Sequence, residues 1–136
     1  MLSRSNPAAV PPPIGRYHHT STVPGGTDLV FVSGQVGHHV DGSSMAQDSA
    51  GQARQAFRNL GAILEDLSAG PGQIAKILTF VAGAEHLPGF FAARDDVFAR
   101  WYPEGDVPAH SLAVVAGLAA PGLLVEIEAV VAVTRT

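Results

Sequence analysis

The chain predicts an α+β fold of order ββαβαββ, with two helices laid on one face of a sheet. Three features of the sequence carry that expectation. Two segments repeat apolar residues at helical spacing. Five shorter runs are rich in β-branched and aromatic residues. The strand-like runs come in pairs, with the helices interposed, rather than in strict strand–helix alternation. A length of 136 residues fits one domain. A domain of that size buries roughly two-thirds of its unfolded surface, enough for one core.

The elements follow in order. Residues 1–13 are rich in Ser, Ala and Pro, and Pro11-Pro12-Pro13 favours an extended, solvated chain. They are expected to form a flexible arm outside a single domain spanning 14–136. Tyr17 to Val23 reads as a strand, and Pro24 to Asp28 as a turn. Leu29 to Ser33 is a buried strand ending at Gly34, expected to pair with the first as a hairpin. Ser49 and Gln52 form a capping box that opens a helix. Ala53, Phe57, Leu60, Leu64 and Leu67 lay one apolar stripe along it, and Gly70-Pro71 stops it. Ile74 to Ala82 is a strand with Ile77, Thr79 and Val81 opposite Leu78, Phe80 and Ala82. A second helix runs from about Leu87 to Trp101, with Pro88 tolerated in its first turn. Leu87, one of Phe90 and Phe91, Phe98 and Trp101 are expected to face the sheet. Ser111 to Val115 and Leu123 to Val133 complete the fold. The last alternates Val125, Ile127 and Ala129 against Glu126, Glu128 and Val130.

Composition narrows the function. Hydrophobic residues make up 46% and charged residues 15%. That leaves apolar surface to cover, and self-association is one way to cover it. Net charge is −4, Lys76 is the single lysine, and the arginines are isolated. No phosphate-tracking footprint results, so nucleic acid is not an expected partner. The absence of cysteine excludes disulfides, thiolate metal sites and Cys nucleophiles. No apolar run is long enough to span a membrane, so a soluble, cytoplasmic protein is expected. Glycines mark turns rather than a GxGxxG or GxxxxGK[ST] loop, and no cofactor is implied. His18-His19 and His38-His39 invite a metal reading. Neighbouring strand residues point to opposite faces, so each pair offers at most one inward ligand, and no metal is expected.

Several segments together resemble the RidA (YjgF-like) family of imine/enamine deaminases, also known as the L-PSP endoribonuclease family. They are Ile14-Gly15-Arg16-Tyr17, Leu29 to Gln35, Gln55 with Asn59-Leu60, Thr79-Phe80-Val81, Pro108-Ala109-His110-Ser111 and Val125 to Ala129. Each is weak alone, but their order and separations match across nearly the whole chain. The resemblance implies a chorismate-mutase-like subunit with a mixed sheet. It further implies a homotrimeric barrel with a small-molecule cleft at each subunit interface. The implied reaction is hydrolysis of imines or enamines to 2-oxo acids and ammonia. The family's endoribonuclease label gains nothing from so weakly basic a chain.

Carried over by position, the resemblance assigns catalysis to Glu126, which would place water, and to Tyr17. It assigns substrate binding to Ser33, Gly34, Phe80, Leu112 and His110. The family carries an arginine where this chain has His110, and an asparagine in many members where it has Arg94. Imine hydrolysis needs water at the C=N carbon and a proton on nitrogen, and a carboxylate can accept the proton of that water. Glycine lets the main chain approach substrate closely. A guanidinium offers a permanently charged fork to a carboxylate, which imidazole does not. Losing that fork costs about 1.5–3 kcal/mol of charged hydrogen bonding. The replacement leaves two readings of the chain: an enzyme retuned to another ligand, or a non-catalytic metabolite-binding or protein-partner module on the same trimer. Residue by residue, His110 is either a contact to ligand or a structural ring. Glu126 is either a working carboxylate or a paired interface group, and Tyr17 either a cleft residue or a packed aromatic. Glu128 is read as a structural salt-bridge partner. Ser33 and Ser111 have no His/Asp partnership in the sequence and are read as hydrogen-bonding residues, not nucleophiles.

Overall fold

A computed structural model describes residues 1–135. Its elements are β1 (Ser3–Ser5), β2 (Thr20–Thr22), β3 (Thr27–Gln35), α1 (Ser49–Asp66), β4 (Ile74–Ala82), α2 (Leu87–Trp101), β5 (Ala109–Val115) and β6 (Val125–Thr134). From β2 onward the order is ββαβαββ, as expected. Four strands form a mixed sheet in the order β3-β6-β4-β5, with β4 and β5 parallel and the other pairs antiparallel. Both helices pack on one face. The core between them and the sheet is built from Phe57, Leu60, Phe90, Phe98, Ile77, Val81, Val125 and Ile127, all buried. No described helix is long and apolar enough to cross a membrane.

Helix α1 starts on Asp48 rather than on the expected Ser49 capping box. The Asp48 side chain accepts a hydrogen bond from the Gly51 N–H at 3.2 Å. It ends before Gly70. Ser68 takes the left-handed conformation with φ 52°, while the Ala69 and Ser68 N–H groups bond the Leu64 and Glu65 carbonyls at 2.8 and 3.0 Å. That pair of bonds is a Schellman closure with serine in the seat glycine usually takes. Gln52, freed from capping, is only 1% exposed and stitches the helix to the chain entering β6. Its Nε2 donates to the Ala46 and Gly122 carbonyls, each at 2.9 Å, and its Oε1 accepts from the Leu124 N–H at 2.8 Å.

Two expectations about the N-terminal region are corrected. Residues 2–5 are no loose arm: β1 pairs antiparallel with β2, and Leu2, 6% exposed, packs with Ala75 and Ala132. Farther along, the His19 N–H bonds Asn6 Oδ1 at 2.8 Å and the His19 ring donates to the Pro11 carbonyl at 2.7 Å. Burial of one leucine and these ties offset the entropy of ordering the segment. The second correction concerns the hairpin. β2 pairs with β1, not with β3, whose partner is β6. β6 offers β3 a longer apolar ladder, so the local turn does not decide the pairing.

β6 alternates as expected. Val125, Ile127, Ala129 and Val131 are buried toward the helices. Glu126, Glu128 and Val130 are half-buried on the opposite, open face. Glu128 takes part in no ion pair among the described residues, so its reading as a salt-bridge partner is not met within one subunit. The open face is apolar for its position: Phe31 is 75% and Leu29 51% exposed, beside half-buried Leu78, Phe80 and Val130.

Candidate functional site

The predicted site residues fall into two groups on opposite faces of the sheet. The first lies at the β5 edge. A cavity of about 490 Å³ is lined there by Tyr17, Phe91, Arg94, His110 and Leu112, with the 14–16 loop and Ser111 closing it. Tyr17 belongs to no strand, yet it is held beside β5 by its neighbour. The His18 N–H bonds the Pro108 carbonyl at 3.2 Å, and the His18 ring donates to the Val107 carbonyl at 2.7 Å. An isolated parallel bridge links His18 to Ala109. The Tyr17 hydroxyl accepts a bond from the Ile14 N–H at 3.3 Å, folding the loop over the ring. His18 and His19 both spend a ring nitrogen on a main-chain carbonyl, which is a structural use.

His110 turns toward the helices. Its ring sits 6.4 Å from Phe90 and 6.3 Å from Phe98, centroid to centroid. Its Nε2 shares a hydrogen bond of 2.9 Å with the hydroxyl of fully buried Thr79. Burial lowers the His110 pKa from 6.5 to about 4, and the charges of Arg94 and Lys76 act in the same direction. The ring is therefore neutral across the physiological range. A histidine of the unfolded chain titrates near 6.5 and this one near 4, so its stabilising contribution is complete above 6.5 and lost as pH falls toward 4. His110→Gln is expected to remove that pH dependence, which amounts to about 3 kcal/mol between the two pH limits. Urea titrations at pH 4 and pH 7 check it. Equal acid sensitivity in both proteins would show that His110 is not the group responsible.

The second group lies on the open face. Glu126 pairs in register with Phe80 of β4, so the two side chains share that face. Between Val32 and Gln35 the β3–β6 register slips by one residue. The extra residue makes a β-bulge at Ser33-Gly34, which takes this main chain out of regular pairing. Gly34 lies directly against Glu126: a Cβ added there would stand 2.5 Å from the Glu126 Cδ. Asn59 of α1 fixes the chain leaving the bulge, its Nδ2 donating to the Val36 and His38 carbonyls at 3.1 and 2.9 Å.

One subunit thus brings together Tyr17, His110 and Leu112, and separately Ser33, Gly34, Phe80 and Glu126, but not the two sets. Sequence reasoning missed the bulge, though a glycine inside a strand pattern signals one. It also gave Arg94 no role in the site; α2 delivers this side chain to the cavity wall. Among the described residues no three His, Asp or Glu side chains converge as a metal site requires.

Comparison with known proteins agrees with this architecture. The family model described as Endoribonuclease L-PSP matches residues 8–133. The RutC family protein slr0709 of Synechocystis is 30% identical over 127 residues, covering 90% of each chain. The structure of the conserved Rid-family protein YyfB from Yersinia pestis superposes with a TM-score of 0.80 at 27% identity, covering 96% of this chain and 97% of that one. Escherichia coli TdcF with bound serine superposes with a TM-score of 0.70 at 26% identity, covering 93% of both. A match over nearly the whole length, together with the ββαβαββ order and the mixed sheet, means that this chain belongs to the Endoribonuclease L-PSP family, the family of the Rid and YjgF proteins.

Proposed function

We propose that the protein hydrolyses small imines or enamines to 2-oxo acids and ammonia, in clefts between the subunits of a homotrimer. The observation that carries the reading is the division of the site. Within one chain the β5-edge cavity and the pairing of Glu126 with the Ser33-Gly34 bulge lie apart on different faces, and on this reading they are the two halves of one cleft. A second copy seated on the open face would join the halves and cover Phe31 and Leu29. The serine bound by TdcF, a small amino acid, is of the size and chemistry such a cleft would take.

In the proposed reaction Glu126 accepts a proton from water as the water oxygen bonds the C=N carbon. The substrate nitrogen gains a proton, and the resulting carbinolamine collapses with loss of ammonia. Tyr17 and the bulge main chain orient the substrate, Phe80 and Leu112 supply apolar walls, and neutral His110 with Thr79 forms the polar floor. No cofactor or metal enters. The test is turnover of freshly generated 2-iminopropanoate, with light scattering on the eluting protein. Turnover by a species of three chain masses is expected. A monomer that turns over the imine would overturn the shared cleft, and an inert trimer would overturn the hydrolysis.

The second reading, a metabolite-binding module without turnover, draws on the fixed His110–Thr79 pair, which offers ligand no permanent charge. Tight binding of a small amino or oxo acid by a protein inert toward imines would establish it.

A further inference from the structure

Two guanidinium groups, those of Arg16 and Arg94, line the cavity at the β5 edge. Arg94 reaches the cavity from α2, with its side chain 13% exposed. Its Cζ lies 4.8 Å from the centroid of the Phe91 ring, a cation–π contact that keeps the guanidinium at the cavity wall. Asp95 Oδ1 accepts from Arg94 Nε at 3.2 Å and from Nη2 at 3.0 Å. The same oxygen is held by Arg16 Nε at 3.0 Å. Two guanidinium groups on one carboxylate leave a net positive charge at the mouth of the cavity. Arg94 Nη1 takes no protein partner among the described hydrogen bonds. The other nearby cation, Lys76, is spent on the Ser111 hydroxyl at 2.8 Å.

We propose that Arg94 is the anion-binding, specificity-determining residue of this cleft, and that it grips the carboxylate of a small 2-imino or 2-oxo acid. The proposal rests on the cavity being the ligand cleft, as read above. An apolar wall of Phe91 and Leu112 lowers the local dielectric and strengthens a charge pair formed there. A carboxylate arriving at Arg94 adds one negative charge where the cluster carries one net positive. Arg16 retains Asp95, so the fork of Arg94 can turn to ligand without leaving that carboxylate unpaired.

The experiment is calorimetric titration of the full-length protein with 2-oxobutanoate, alongside hydrolysis of 2-iminopropanoate. Arg94→Gln is expected to weaken 2-oxobutanoate binding by about 10–100-fold and to raise KM more than it lowers kcat. Arg94→Lys keeps the charge without the fork and is expected to recover part of the affinity. Arg54→Gln, on the outer face and paired with Asp96, controls for net charge and is expected to bind as the native protein does. Equal affinity in native and Arg94→Gln, or no binding by the native protein, overturns the assignment. Native turnover with KM unmoved in Arg94→Gln removes Arg94 and leaves the hydrolysis reading standing. Arg94-dependent binding without turnover does the reverse.

Discussion

Glu126→Gln is expected to lower 2-iminopropanoate turnover by about 10²–10⁴-fold, the usual range for losing a general base. The amide keeps the shape of the side chain and its place beside Gly34 and Phe80, but it accepts no proton from water. Because Glu126 is half-buried and outside the helix-side core, the unfolding midpoint is expected to stay within about 0.5 kcal/mol of native. Loss of activity without loss of stability separates a chemical role from a packing one. Gly34→Ala supplies an independent check. The three atoms nearest its new Cβ, Cδ, Cγ and Oε2, all belong to the Glu126 side chain, so the carboxylate is expected to be displaced. Turnover is expected to fall with the residues of the β5-edge cavity untouched. Native-like rates in both variants would remove Glu126 from the reaction.

Gln52→Ala is expected to cost about 3 kcal/mol of folding stability, through three lost hydrogen bonds and main-chain groups left unpaired in a dry site. Two bonds tie α1 to the Gly122 carbonyl and the Leu124 N–H, so the loop that starts β6 loses its described side-chain hydrogen bonds to the helix layer. Against a total of about 5–15 kcal/mol for a domain, that is a large fraction. Gln52→Met restores the volume without the bonds and is expected to recover less than half of the loss. Urea unfolding followed by the Trp101 fluorescence measures both. A midpoint unchanged in Gln52→Ala would mean that water replaces all three bonds without cost. Because β6 also carries Glu126, loosening its entry is expected to reduce activity in Gln52→Ala as well.

Much of this was legible from local pattern. The stripe Ala53, Phe57, Leu60 and Leu64 marked α1, and the alternation from Val125 to Val130 marked both β6 and the face of Glu126. The bounds of β4 and α2 follow the sequence residue for residue, since period and breakers act over a few positions. The resemblance carried by Val32-Ser33-Gly34-Gln35 and Pro108-Ala109-His110-Ser111 led to the family. Gln52 looked like a helix cap and is a cross-chain clamp, because its partners lie up to 72 residues away. Ser68 ends α1 although Gly70 stands two residues on, because the closing bonds depend on where the helix carbonyls run out.

The sequence by itself determined the kind and order of the elements from β2 onward, the apolar faces of the helices and of β6, and the family. Those properties are set by residue periodicity, which is local. Tertiary structure alone decided that β2 pairs with β1 and that Leu2 enters a core. It also decided that Ser33-Gly34 bulges against Glu126, that His110 turns to Thr79 and loses its charge, and that Arg94 reaches the cavity beside it. Each of these is a contact between residues far apart in the chain, and its outcome depends on burial and on which partner a strand or side chain finds when the sheet closes.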